Sequence, residues 1–239
     1  MKSVFPESEP NTYSQLCEVK YYEYIDGVSR GVRGIDIRNP EGINITVLLD
    51  RGMDIASFSY KSIPFNWRSA TKITSPLYYE SKGSEWLRTF YGGFLTTCGL
   101  TTTGPANVDG SDELGLHGRI ANIAANNVSV DEKWENDTYA VTVRGRVRET
   151  KSLVYKLQLE RTIYTWMDKP RIVVEDTVEN IGYQTSPLMI LYHINIGYPI
   201  LDKDSKILEG RAKIIPYDDE SAKGLKNYNR FSEPIKGFK

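Results

Sequence analysis

The sequence predicts an all-β chain folded as a large antiparallel β-sandwich with a few short helices. Three observations carry that expectation. Apolar and polar residues alternate with a period of two through several segments, turn residues separate those segments at short spacing, and only one stretch has the end chemistry of a helix. All-β domains commonly reach 239 residues as one unit, so a single domain over 1–239 is expected.

Residues 1–12 read as a polar lead-in and 14–24 as a strand ending at the turn Asp26-Gly27. Residues 31–38 form the next strand, and Asn39-Pro40-Glu41-Gly42 supplies turn chemistry, proline presetting φ and glycine permitting φ > 0. Ile43, Ile45, Val47 and Leu49 alternate with Asn44, Thr46 and Leu48, which completes a hairpin. A strand over 55–60 follows the charged cluster Asp50-Arg51-Gly52-Met53-Asp54-Ile55, and an irregular section then runs to about Gly83. Ser84 as a cap, Glu85 in the first turn and Gly92 beyond the end predict a helix over 84–91. The small residues of 92–100 allow close approach of a ligand or another strand, and 101–115 is a polar loop.

Beyond Arg119 the pattern is β. Tyr139, Val141, Val143 and Val147 share one parity, and Thr142, Arg144, Arg146 and Arg148 the other, giving a buried face and a basic, solvated one. Leu153, Tyr155, Leu157 and Leu159 predict another one-sided strand, Asp168-Lys169-Pro170 a turn, and 171–179 a further strand. Residues 187–196 are apolar on both parities, as for a strand covered on both faces. A strand over 206–215 and an aperiodic polar tail complete the chain.

Composition narrows the function. A formal net charge of −1 gives no electrostatic case for nucleic acid or an anionic membrane. No apolar run has the length of a bilayer-spanning helix, and residues 1–7 lack the core of a signal peptide. Two cysteines, Cys17 and Cys98, make neither a disulfide framework nor a zinc pattern, so a cytoplasmic protein with reduced thiols is expected and the sequons at Asn44, Asn127 and Asn136 carry no role. The 16 tyrosines and 4 tryptophans suit sugar rings, whose C–H faces pack on aromatic faces, but sheets favour the same residues.

The candidate site rests on the 2 histidines of the chain. His117 lies in Leu116-His117-Gly118-Arg119 and His193 in Leu191-Tyr192-His193-Ile194-Asn195-Ile196-Gly197-Tyr198-Pro199. Imidazole gives or takes a proton near neutrality, and glycine and asparagine beside it suit close approach of a polar ligand. No cofactor or metal is expected, because two histidines without a spaced carboxylate do not make a metal site.

These segments, with Asp26-Gly27, Asp50-Arg51-Gly52-Met53-Asp54-Ile55, Trp86-Leu87-Arg88, Gly92-Gly93 and Cys98-Gly99-Leu100, occur in an order that resembles the aldose 1-epimerase (galactose mutarotase-like) superfamily, in its divergent DUF4432 branch. The resemblance implies a galactose mutarotase-like supersandwich and interconversion of sugar anomers by acid/base catalysis without a cofactor. It implies His193 as the general acid on the ring oxygen and His117 as the second histidine polarising the same region. Arg88 is the implied sugar-binding arginine, with Arg119 and Asn195 as further substrate-binding candidates. The superfamily's basic glutamate comes from the C-terminal part of a longer chain, and no residue here matches it, so the chain is expected to be incomplete at its C-terminus and to associate with another chain, a second copy included. A sugar is the expected partner. The alternatives are a non-catalytic carbohydrate-binding or sensor protein on the same fold, and a cysteine hydrolase using Cys98 and His117.

Overall fold

A computed structural model describes residues 15–135, 137–210, 212–233 and 235–236. The expected lead-in over 1–12 and the sequon at Asn136 lie outside the described residues. In chain order the strands are β1 (Glu18–Glu23), β2 (Arg33–Arg38), β3 (Ile43–Leu48), β4 (Asp54–Tyr60), β5 (Ile63–Pro64), β6 (Trp67–Arg68), β7 (Gly92–Gly93) and β8 (Leu95–Leu100). They continue as β9 (Asn107–Asp109), β10 (Asp112–Leu114), β11 (Asn126–Glu135), β12 (Thr138–Thr150), β13 (Lys156–Trp166), β14 (Lys169–Asn180) and β15 (Met189–Ile194).

One sheet runs β1-β2-β3-β4-β8-β15 with β5 appended to β4, and a second runs β11-β12-β13-β14. The pairing in both is antiparallel. Ile35, Ile37, Ile45, Val47 and Ile55 of the first sheet meet Val141, Val143, Val147, Leu159 and Ile163 of the second in one buried cluster. Each such side chain contributes about 1.5–3 kcal/mol through the apolar area it removes from water. The expected sandwich is the observed fold.

The two layers are also joined by buried charge. Arg161 of β13 donates from Nε and Nη2 to Asp176 of β14 at 2.8 and 2.7 Å and from Nη1 to Asp54 of β4 at 3.0 Å. Burial works against the Arg161 charge, but the two carboxylates outweigh it and hold the pKa up. The basic face read from β12 is solvated as expected: Arg146 donates to Glu160 at 2.7 Å and Arg148 to Gln158 at 2.7 Å across the strand pair.

Several local expectations need correction. Residues 85–89 form a 3-10 helix rather than an α-helix, and the Ser84 side chain caps nothing. Five residues are too few to repay α-helix nucleation, and Arg51 draws the Thr89 carbonyl inward at 2.9 Å. β13 starts at Lys156, not at Leu153, whose side chain is 87% exposed; residues 151–154 turn back through a Val154 N–H bond to the Lys151 carbonyl. The turn before β14 sits at Met167-Asp168, so Lys169 and Pro170 already belong to the strand. The polar loop 101–115 contains the hairpin β9–β10. The strand expected over 206–215 reduces to one bridge, Lys206 to Arg230, since that segment finds no longer partner among the described residues. The tail instead holds a short helix, α1 (Asp219–Lys223), with an Asp218–Ser221 capping box. Finally, β15 is not covered on both faces: Met189, Leu191, Tyr192 and Ile194 are exposed because β15 is the last strand of its sheet.

Candidate active site

Strand alternation decides where His193 points. In β15 it lies opposite Thr96 of β8, while its neighbour Tyr192 lies opposite Thr97. Tyr192 reaches Asp176 of the second sheet with its hydroxyl at 2.8 Å. Successive side chains of a strand leave opposite faces, so His193 leaves the outward face.

His117 reaches the same place from a tight loop. It adopts φ 59°, in the left-handed region, and is followed by Gly118 at φ 74°. A Cβ on Gly118 would run into the carbonyl oxygens of Gly99 and Thr102, so only glycine lets this loop lie against β8. The backbone is held on both sides: Gly99 N–H donates to the His117 carbonyl at 3.0 Å, and Arg119 N–H to the Gly99 carbonyl at 2.9 Å. Gly104 grips His117 twice, its carbonyl accepting from the His117 N–H at 2.9 Å and its own N–H donating to Nδ1 at 3.3 Å.

The two imidazole centroids stand 5.6 Å apart at 83°. Aromatic rings surround the pair. Trp86 meets His117 edge-on at 4.9 Å, Phe90 meets His193 at 5.5 Å, Trp86 and Phe90 stack at 4.6 Å, and Trp67 packs on Phe90 at 5.8 Å. Both histidines are half-buried. Burial, and then the nearby His193, lower the His117 pKa below its usual 6.5. Neutral His117 with Nδ1 occupied as an acceptor carries its proton on Nε2, which leaves Nε2–H as a donor. The aromatic walls went unread in the sequence, although the i, i+4 spacing of Trp86 and Phe90 was available as a signal.

The model of the domain of unknown function DUF4432 matches residues 29–239. This chain belongs to the DUF4432 family. The DUF4432 chain superposes on the crystal structure of a provisionally assigned aldose 1-epimerase from Klebsiella pneumoniae subsp. pneumoniae at TM-score 0.85 and 24% identity, over 92% of this chain and 58% of that one. It also matches a galactose mutarotase-like protein from Clostridium acetobutylicum at TM-score 0.52 and 14% identity, over 81% of this chain and 60% of that one. The likeness establishes a galactose mutarotase-like fold, and the DUF4432 chain spans 58% of the length of the first of these structures. None of the curated proteins compared matches it.

No hydrogen bond links the side chains of the remaining candidates of the DUF4432 chain to either imidazole ring. Arg88 is 68% exposed and paired with Glu85 and, at 3.9 Å, Glu80. Arg119 is exposed and lines a separate cavity with Tyr79 and Glu149. Asn195 is buried and donates from Nδ2 to the Gly92 and His193 carbonyls at 3.3 and 3.1 Å. It therefore fixes the backbone of His193 against the β7 glycines. Arg51, in the charged cluster read from the sequence, is a buried strut. It donates to the carbonyls of Ala121, Thr74 and Thr89 at 2.6, 2.5 and 2.9 Å and so ties together the loops that carry Phe90 and Arg119.

Cys98 is fully buried and burial pushes its thiol up to about 12, which removes the thiolate a cysteine hydrolase needs. Among the described residues, no group of three or more His, Cys, Asp or Glu side chains is arranged to hold a metal ion. No helix of the described residues is long and apolar enough to cross a membrane.

Proposed function

We propose that the DUF4432 chain binds a free sugar in the hollow between His117 and His193 and promotes interconversion of its anomers. The observation that carries this reading is the pair of half-buried imidazoles at 5.6 Å within an aromatic wall. Ring C–H faces pack on Trp86 and Phe90, and the imidazoles meet the polar edge of the sugar. His193 gives its proton to the ring oxygen as the bond from that oxygen to the anomeric carbon breaks, and the anomeric hydroxyl loses its proton to form the aldehyde. Rotation of the aldehyde and reclosure with the roles reversed yield the other anomer. His117, neutral and donating from Nε2, steadies the same oxygen. Asn195 is a positioning residue acting through the His193 backbone. Arg88 and Arg119 are assigned no contact in the hollow.

A second reading has an observation of its own. Among the described residues, neither imidazole is hydrogen-bonded to a carboxylate, and no acceptor for the anomeric proton is assigned. This favours a sugar-binding protein without turnover as the alternative. The likeness to the Klebsiella structure supports the epimerase reading at the level of fold. Exchange NMR on D-glucose, D-galactose and other aldoses separates the two. Accelerated anomer exchange that disappears in His193→Asn and His117→Asn, with both variants folded, is the expected result. Saturable binding with no acceleration defeats the enzyme reading, and no binding of any aldose defeats both.

A further inference from the structure

Behind the His117 loop lies a second cavity of about 490 Å³, lined among others by Tyr79, Arg119, Asn122, Glu149 and Tyr155. Small-molecule pockets fall between about 300 and 1,000 Å³, so the space suits a single ring. Gly118 separates it from the hollow: its carbonyl accepts from the Tyr79 hydroxyl at 3.0 Å.

Two deeply buried polar side chains belong to its wall. Glu149 is 1% exposed, with one carboxylate oxygen accepting from Leu100 N–H and the other from the Thr101 hydroxyl, both at 2.6 Å. Each of these oxygens keeps a further lone pair. Asn122 is 8% exposed, and neither its Nδ2 nor its Oδ1 has a hydrogen-bond partner. An orphaned buried amide costs on the order of 1–3 kcal/mol for each unmet group, which the fold retains here although Arg51 pins the adjacent Ala121 carbonyl. Asn122 lines the cavity, and its amide carries a donor and an acceptor at once.

The charges identify the ligand class. The Arg119 guanidinium has no hydrogen-bond or ion-pair partner among the described residues and lines the same cavity as Glu149; both act on the Tyr79 and Tyr155 hydroxyls, whose pKa values burial raises. Of the other charged residues there, Lys151 is paired with Asp112 at 2.8 Å, Arg148 donates to the neutral Gln158, and Glu113 supplies a further carboxylate, so the cavity's cationic and anionic side chains balance. A balanced donor and acceptor, an amide offering both, and two tyrosine rings do not select an anion or a cation. They match vicinal hydroxyls on a ring with C–H faces. We propose that this cavity is a second binding site, for a neutral polyhydroxylated ring such as a monosaccharide or cyclic polyol.

The test uses the full chain with myo-inositol, which has no anomeric centre, as the probe, followed by titration calorimetry and amide chemical shifts. The expected result is saturable binding that Asn122→Ala weakens at least tenfold and His193→Asn leaves unchanged. Asn122→Ala is also expected to unfold at the same temperature as the parent or higher, because it deletes two unmet polar atoms; Tyr155→Phe is the second variant, expected to weaken binding without touching Asn122. No binding of myo-inositol, binding indifferent to both substitutions, or binding lost in His193→Asn overturns the proposal. Because inositol cannot mutarotate, failure of the epimerase reading leaves this outcome untouched.

Discussion

Replacing Arg161 with Met probes how far buried charge holds the sandwich together. The substitution removes five hydrogen bonds, two to Asp176, one to Asp54 and one each to the Gly52 and Met53 carbonyls, and leaves both carboxylates buried without their cation. Asp54 then keeps only Thr97, whose N–H and hydroxyl it accepts at 3.0 and 2.6 Å, and Asp176 keeps the Tyr192 hydroxyl at 2.8 Å. Breaking a buried pair by removing one partner costs about 3–5 kcal/mol, which for a chain of this size lowers Tm by about 6–20 °C. The pH dependence has a definite sign. Burial raises the Asp54 pKa above its ordinary 3.8 while Arg161, more than Thr97, pulls it down. A folded carboxyl that holds its proton more tightly than the unfolded one loses stability as pH rises from the unfolded value to the folded one. Without Arg161 the folded value climbs, so the deficit of the variant is smallest in acid and grows toward neutrality. Urea unfolding of parent and variant from pH 4 to 7.5 measures this. A loss below about 1 kcal/mol at neutral pH, or a deficit that grows on acidification, refutes the reasoning.

Three further outcomes are expected. The His117 imidazole titrates below 6.5 by NMR, and His193→Asn raises its midpoint without restoring 6.5, because burial is the larger cause; since the folded pKa is the lower one, this group's contribution to stability is lost as pH falls through the window below 6.5. Gly118→Ala, with φ 74° and two carbonyl oxygens in the way, costs about 2 kcal/mol or more and displaces His117, seen as loss of the ring contacts with Trp86 in NOE spectra. A thiol reagent leaves Cys98 unmodified in the native protein and labels it only on unfolding, because that side chain is fully buried and its thiol is pushed up to about 12.

Much of the fold was legible in the sequence where neighbours along the chain decide the outcome. The alternation of Ile43, Ile45 and Val47 and the Asn39–Gly42 turn placed a hairpin that is present, and the parity of Val141, Val143 and Val147 named the buried face of β12. The failures occurred where a distant contact overrides a local preference. The helix signals of 84–91 were real, but Arg51 and the imidazoles claim the Thr89 carbonyl and the Trp86 ring, and the segment tightens to a 3-10 turn. The apolar run of β15 read as doubly covered because composition reports hydrophobicity, not the position of a strand within its sheet.

The same division holds at the candidate site. The sequence by itself determined the family through its ordered motifs, the sandwich through its period, and the two histidines as the side chains able to move a proton near neutrality. Only the tertiary structure brought those rings to 5.6 Å and walled them with Trp86 and Phe90. It also turned Arg51 into a strut and set Arg119 and Asn122 on the far side of the His117 loop. Periodicity records which way one strand's side chains face, whereas separation, field and burial between remote residues arise only when two sheets close on each other.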